Sequence, residues 1–496
     1  MTTETGSGSY QRGLALAEAG RYEEGWNCLR QHLREAPHDA RALNDAGAIL
    51  HCLGRTDDAI SHLTKARGLE ADNARIVWNL VETYLGGGRA VEAAHLFDDM
   101  ERMGILSIDV LNRTATLLLD QGNKGQAIDV LLRSYRLWPQ QEVLRPALDV
   151  IRAKRPKVAF FCEELGGEGG LAEIGTFVQQ RFQTKFYEGH NPDGIGPLMQ
   201  WSDIAWFDGG GDMAVVASRR GGPKVIVSVR GSDVRDRWAK EVRWENVSVA
   251  VPIGSSAVEE ALRAQVPDLR QRTRLAVVPN GVNLRRYPLR RRDRGKHLAC
   301  LGCLTLEANP AFLLQCMQKL HYLDAGYRLS FSGTFESPVL EQYMQYMIRT
   351  LDLTRVISFE PPPGDLNAWL SDKHFLVAGG IGEDQVGALL TGMACGLKPV
   401  VHNFPGADKL LPPQYLFNIA EQFCEQVLSR DYQPQEYRRL VELRYPLEPQ
   451  LKTVEGLLDQ LETEIELQAA VAMGRETTAA MDRQDVSIAG EATRQA

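Results

Sequence analysis

Four glycines, Gly20, Gly54, Gly88 and Gly122, stand 34 residues apart in the first third of this 496-residue chain. Five positions after each comes a small residue, Gly25, Ala59, Ala93 or Ala127, and four further on a bulky apolar one, Leu29, Leu63, Phe97 or Leu131. Pro37 and Pro139 close the first and fourth copies in the same register. No other feature limits the fold as tightly. A unit of this length is two helices and a turn, which cannot bury its apolar face alone, so copies must stack. The glycine frees the turn between the helices. The small residue lets the two helices approach, and the bulky one fills the groove between neighbouring copies.

The pattern resembles the tetratricopeptide repeat. The resemblance implies an α-helical solenoid over residues 6–151 whose concave face binds a protein or peptide. A structural spacer or a dimerisation arm is the alternative use. The array ends near Leu148, and the segment RAKRPK (152–157) reads as the joint to the remainder of the chain.

After the joint the pattern changes to short apolar runs alternating with helical ones. The run VAFFC (Val158–Cys162) predicts a buried strand, followed by a glycine-rich turn with Gly167 and Gly169 and then a helix. Strand, glycine loop and helix offer free backbone N–H groups to an anion, though a tight turn without a ligand fits equally. The runs DIAWFD, KVIVSVRGSD, VSVAVPIGSS and LAVVPNG continue the series, and a second begins at His297 with HLACLGCL, RLSFSGTF, VISFEPP, HFLVAGG and PVVHN. Alternation of this kind predicts two Rossmann-like domains with parallel sheets, residues 156–284 and 297–450, with ligands at the carboxyl ends of the strands. Between them LRRYPLRRRDRGK (284–296) holds seven Arg or Lys and one Asp. It reads as a solvated linker or as a surface for an anionic partner.

Composition narrows the rest. The net charge of −8 argues against a nucleic-acid binder, and no apolar run reaches the roughly 18 residues of a membrane span. The start, MTTETGSGSYQRG, lacks the features of a secretory leader. Eight scattered cysteines fit a reducing compartment, hence the cytoplasm. Cys300 and Cys303 form a lone CxxC, which reads as a strand end rather than a metal site. Residues 451–496 should form an amphipathic helix, apolar at Val454, Leu457, Leu458 and Leu461, and then an unstructured tail from about Gly474.

Three segments of the second part resemble retaining GT-B glycosyltransferases of the family 4 type. VVPNGVNLRRY (277–287) is similar to the crossing between their domains, LGCLTLEANPAFLLQCMQKL to the opening of their donor side, and EDQVGALLTGMACGLKPVV to their donor-side helix and strand. The likeness covers residues 158–412. Tetratricopeptide arrays joined to such domains resemble bacterial enzymes that glycosylate flagellin or other surface proteins before export.

The resemblance implies a nucleotide-sugar donor as substrate, with no metal or other cofactor, and a protein acceptor recruited by the repeats. It also implies two acids eight positions apart that hold the sugar and ribose, and an Arg and a Lys that hold the phosphates. Glu383 matches the first acid and Thr391 stands at the second. Cys303 and Ala308 stand at the two cation positions. Asp208 occupies the place of a histidine often found on the acceptor side, where it acts as a polar or basic group, or caps the turn Gly209-Gly210-Gly211. The catalytic candidates are therefore Asp208 and Glu383. The donor-binding candidates are Gly167, Gly169, Arg230, Asn280, Gly281, Glu383, Gly387 and Thr391. Arg230 lies at a predicted strand end and serves either a phosphate or a structural pair with Asp233. Lys398 and Arg285 are further cations. The replaced residues leave a second reading open: a non-catalytic adaptor or sugar-binding protein of the same fold.

Overall fold

The structure, a computed structural model, describes the backbone of residues 4–162, 171–231, 233–235 and 237–492, with side chains described from Gly8 to Ala472 within those stretches except at Leu171, Arg235 and Asp384. The chain divides into two compact units, residues 1–155 and 156–496.

The first unit is helical throughout. Helices Glu4–Glu18 and Tyr22–Glu35 form the first pair, Ala40–Cys52 and Thr56–Leu69 the second, and Ile108–Asp120 and Lys124–Leu137 the fourth. In the third pair Ala74–Gly86 is followed by a helix in two pieces, Ala90–Ala94 and Phe97–Arg102. A final helix, Leu144–Ala153, covers the end. The spaced glycines end the first helix of each pair at φ +77, +73, +70 and +79, a left-handed conformation that side-chain-bearing residues avoid. Ala59, Ala93 and Ala127 are completely buried, as are Leu29 and Leu63. The first copy needs Gly25 instead of alanine because a methyl there would sit 2.9 Å from the Gly13 carbonyl oxygen. Ion pairs join successive copies, Arg67 to Asp99 at 2.6 Å and Arg113 to Glu82 at 3.1 Å. These recur because equivalent surface positions on neighbouring copies face each other.

The second unit holds two six-stranded sheets, and every pairing within them is parallel. The first sheet comprises β1 (Val158–Cys162), β2 (Thr184–Glu188), β3 (Ile204–Asp208), β4 (Lys224–Val229), β5 (Val249–Pro252) and β6 (Arg274–Leu275), in the order β2-β1-β3-β4-β5-β6. The second comprises β7 (His297–Leu301), β8 (Arg328–Ser332), β9 (Ile357–Glu360), β10 (Phe375–Ala378), β11 (Lys398–His402) and β12 (Leu416–Phe417), in the order β12-β11-β10-β7-β8-β9. β1 and β10 are buried along their whole length, as strands covered by helices on both faces must be. β2 and β12 had no counterpart in the apolar runs. Both are edge strands, and β2 has no fully buried residue. The architecture is the GT-B arrangement of two Rossmann-like domains.

The chain passes between the two domains twice. The first passage contains Asn280-Gly281-Val282, and Val282 pairs with Pro446 of the second. Helix Leu447–Ala492 then returns to the first sheet. Val454, Leu457, Leu458 and Leu461 enter the core formed by Phe160, Trp206 and Ile226. Lys224 and Arg274 bind Glu464 on the same helix, each at 3.0 Å. The predicted amphipathic helix thus completes the first domain rather than the second. The backbone of the same helix continues to Ala492, through the segment from Gly474 that was expected to be unstructured.

This packing generates two expectations. Leu458→Ala should cost about 2–5 kcal/mol and raise hydrogen exchange along the returning helix, because Leu458 is wholly buried; equilibrium denaturation with exchange mass spectrometry reads both. The second concerns His297, buried at the start of β7, with Nδ1 3.1 Å from Asp372 and Nε2 2.9 Å from Ser330. Burial first, then the charges of Lys373 and Arg328, push its pKa down to about 4. A depressed value means the folded state favours the neutral ring. That contribution is complete above the ordinary value of 6.5 and is lost as pH falls through about 4. Urea unfolding measured across this window should show stability falling with pH, and His297→Gln should flatten that slope.

Candidate functional site

In the second sheet β7 lies beside β10, and the chain leaves them toward opposite edges, β8 on one side and β11 on the other. Ligands of open parallel sheets bind at such a switch point, outside the carboxyl ends of the strands. Here that edge is built from backbone. Gly302 follows β7, Gly333 follows β8, and Gly379-Gly380 follow β10. A methyl at Gly333 would lie 2.0 Å from the Gly302 carbonyl oxygen, and one at Gly379 2.8 Å from Leu313.

Glu383 stands at this edge, in the 3-10 turn Glu383–Gln385 that precedes helix Val386–Ala394. The far end of that helix is anchored by the basic linker and its neighbours. Arg292 donates to the carbonyls of Cys395 at 3.0 Å and Leu370 at 2.8 Å, and Arg438 to that of Ala394 at 3.1 Å. Arg294 donates to the carbonyls of Ser429 and Val427. So neither reading of the linker, solvated or anion-binding, describes Arg292 and Arg294. They close helix and loop ends inside the domain, where cations suit the negative end of a helix.

The Glu383 carboxylate reaches across to the first domain. Ser255 there donates its backbone N–H to Oε2 at 3.3 Å and its hydroxyl to Oε1. Ser255 follows β5 and caps helix Ser256–Gln265, its Oγ accepting from the Ala257 N–H at 3.1 Å. Gly254, at φ +125, makes room, since a methyl there would sit 3.0 Å from Glu383 Oε2 and 3.6 Å from Asn280 Nδ2. A methyl at Gly406 would be 3.0 Å from the Ala257 methyl and 3.7 Å from Glu383 Oε1. Lys409 crosses the same boundary to Glu260 at 3.1 Å, with Ser256 Oγ 3.4 Å away.

Glu383 and Asn280 are therefore brought together beside Gly254. Gly281 serves the crossing, because a methyl there would lie 2.7 Å from Gln450 Oε1 and 3.0 Å from the Leu447 Cα. Thr391 turns its hydroxyl to its own helix, donating to the Gly387 carbonyl at 3.0 Å, so both residues join one local bond. Asp208 and Arg230 form a separate cluster at the carboxyl ends of β3 and β4. Arg230 Nη2 lies 3.2 and 3.1 Å from the two Asp208 oxygens, and Ser228 Oγ donates to Asp208 at 2.8 Å. The Arg230 backbone N–H donates to Asp233 at 2.7 Å. Arg230 thus bonds Asp233 through its backbone N–H, while its guanidinium pairs with Asp208. Gly167 and Gly169 lie outside the described residues. Lys398 is excluded from the site. It opens β11 at the amino edge, is buried, and donates to the carbonyls of Gln426 and Asp431. Arg285 is exposed on the linker. Cys303 is exposed after β7, 4.0 Å from Thr334 Oγ1, and Ala308 is buried.

Four contributors escaped the sequence reading. Gly254 and Ser255 lie inside IGSS, which reads only as a strand end with turn residues. Lys409 comes from a four-residue helix with no periodicity to read. Gln385 is buried behind Glu383, its Nε2 donating to the Leu301 carbonyl at 3.4 Å while Oε1 faces Gly380. Their common signal is position after a strand, which many inert residues share.

Residues 10–67 and 53–105 match the tetratricopeptide repeat family model. No curated protein matches the sequence significantly. Among solved structures, the chain is similar to a glycosyltransferase from Rickettsia africae ESF-5, at 13% identity and TM-score 0.47 over 62% of this chain and 99% of that one. HepE of Anabaena, solved with UDP and glucose, aligns at 12% identity and TM-score 0.48 over 62% and 100%. A mutant O-GlcNAc transferase of Thermobaculum terrenum aligns at 13% identity and TM-score 0.36 over 95% and 98%. Among the described residues no helix is long and apolar enough to cross a membrane.

The Asp208–Arg230 network should be felt in stability. Arg230→Leu leaves a carboxylate that is only 11% exposed without its guanidinium, at a cost of about 1–3 kcal/mol. Asp208→Asn in the same background should recover part of that loss, as read by thermal denaturation.

Proposed function

We propose that the protein is a glycosyltransferase that takes a nucleotide-sugar donor at the carboxyl ends of β7 and β10 and passes the sugar to a protein or glycan acceptor recruited by its repeats. The observation that carries this reading is the state of Glu383. Its two carboxylate oxygens reach to the first domain, and each is engaged by a hydrogen-bond donor of Ser255. A carboxylate so placed accepts a pair of sugar hydroxyls equally well. The glycine-lined strand ends let a nucleotide approach the backbone closely. Asp208 and Arg230 bracket the acceptor side as an ion pair rather than as a free base. All eight cysteines are free, which supports a cytoplasmic setting.

Charge that builds on the departing phosphate needs compensation. Cys303 and Ala308 supply none, so a donor with one phosphate, such as a CMP-linked sugar, suits this edge better than a nucleoside diphosphate sugar. Lys409, bonded to Glu260 and 3.4 Å from Ser256 Oγ, is a cation at the same domain boundary as Glu383. A second reading is favoured by the same substitutions. With Thr391 bonded to Gly387 and Asp208 to Arg230, a non-catalytic adaptor that keeps the fold accounts for three losses at once.

Calorimetry on the full chain with UDP, GDP and CMP, and with sugars linked to each, separates the two. The transferase reading expects one family to bind, and Glu383→Ala to weaken the sugar nucleotide about tenfold or more while the bare nucleotide changes less. Absence of heat with every nucleotide would leave the adaptor reading.

A further inference from the structure

Glu383 belongs to the second domain, yet both hydrogen bonds that orient its carboxylate come from one residue of the first. The pair is suited to holding an anion. Ser255 presents one O–H and one N–H, each to a different carboxylate oxygen, at the amino end of a ten-residue helix. That end of a helix favours negative charge. The same hydroxyl oxygen accepts from the Ala257 N–H, which uses a lone pair and leaves its proton for Glu383. Glycine at 254 and at 406 removes the side chains that would hold the two surfaces apart, and the Lys409–Glu260 pair closes the boundary beside them.

We infer that Ser255 is a positioning residue that competes with the donor. Its hydroxyl bonds Oε1 of Glu383, the oxygen that a donor sugar hydroxyl would take. This deepens the glycosyltransferase reading and rests on it. Sugar binding then exchanges one hydroxyl for another at Oε1. Ser255 Oγ keeps its bond from the Ala257 N–H and gives up its bond to Oε1, so the helix cap survives while the hydroxyl contact between the domains is lost. The exchange lowers the apparent affinity for the sugar portion of the donor only, since a bare nucleotide has no hydroxyl to bring to Glu383 from that side.

The test compares ligand pairs on the full-length chain. Dissociation constants for UDP and UDP-N-acetylglucosamine, UDP and UDP-glucose, GDP and GDP-mannose, and CMP and CMP-N-acetylneuraminate are measured by calorimetry on the wild type, Ser255→Ala, Ser255→Gly and Ser255→Thr. Ser255→Ala loses the helix cap along with the latch. Ser255→Gly loses the hydroxyl but retains most capping ability and the backbone N–H. For the pair that binds, both variants should bind the sugar nucleotide about three- to tenfold more tightly while the bare nucleotide is unchanged, and Ser255→Thr, which keeps the hydroxyl, should restore the wild-type ratio. A sugar nucleotide that binds, but whose affinity relative to the bare nucleotide is the same in all four proteins, overturns the inference and leaves the proposed function standing. Failure of every ligand to bind both wild type and Ser255→Gly overturns the proposed function and the inference with it.

Discussion

The second unit depends on the chain passing twice through one narrow place. Val282 on the way out pairs with Pro446 on the way back, and the two passages touch closely at Gly281, where a methyl would lie 2.7 Å from Gln450 Oε1 and 3.0 Å from the Leu447 Cα. Gln450 locks the contact by donating to the Pro279 carbonyl at 2.8 Å. Because the returning helix then gives Val454, Leu457, Leu458 and Leu461 to the core of the first sheet, the first domain is completed by a segment that has already passed through the second. The crossing thereby ties the two sheets together, and Glu383 and Ser255, each following a strand of a different sheet, meet across the boundary.

Within that frame, charge is placed with little surplus. The arginines of the linker look like a basic patch in the sequence, but Arg292 and Arg294 end in cages of backbone carbonyls, where planar guanidinium groups satisfy several acceptors at once. Buried carbonyls at loop and helix ends must be paired, and long cations from a neighbouring segment are the available partners. Arg230 is likewise engaged by Asp208.

The repeat and the strands were legible because both are written in spacing. A turn glycine every 34 residues has one structural solution, and four copies exclude coincidence. Buried strands such as Val158–Cys162 and Phe375–Ala378 announce themselves as apolar runs. The edge strands Thr184–Glu188 and Leu416–Phe417 do not, since one is half exposed and the other only two residues long. Of the site, Glu383 and Asn280 stood out by resemblance, whereas Gly281 and Thr391 stood out equally and serve local structure instead. A motif names positions but not which way their side chains turn.

Sequence alone determined the helical repeats, the change to alternating strands and helices near residue 156, and Glu383 as the acid at a strand end. Each rests on a local rule: turn geometry, apolar period, or the identity of one residue. Tertiary structure alone decided that Ser255 meets Glu383, that Arg230 meets Asp208, and that the last described helix completes the first domain. Those contacts join residues 128, 22 and several hundred positions apart. Nothing in the spacing of either partner records the other. They are set by where the two sheets bring their strand ends, and that is fixed by the packing of Gly281 against Leu447 and Gln450 rather than by any nearby pattern.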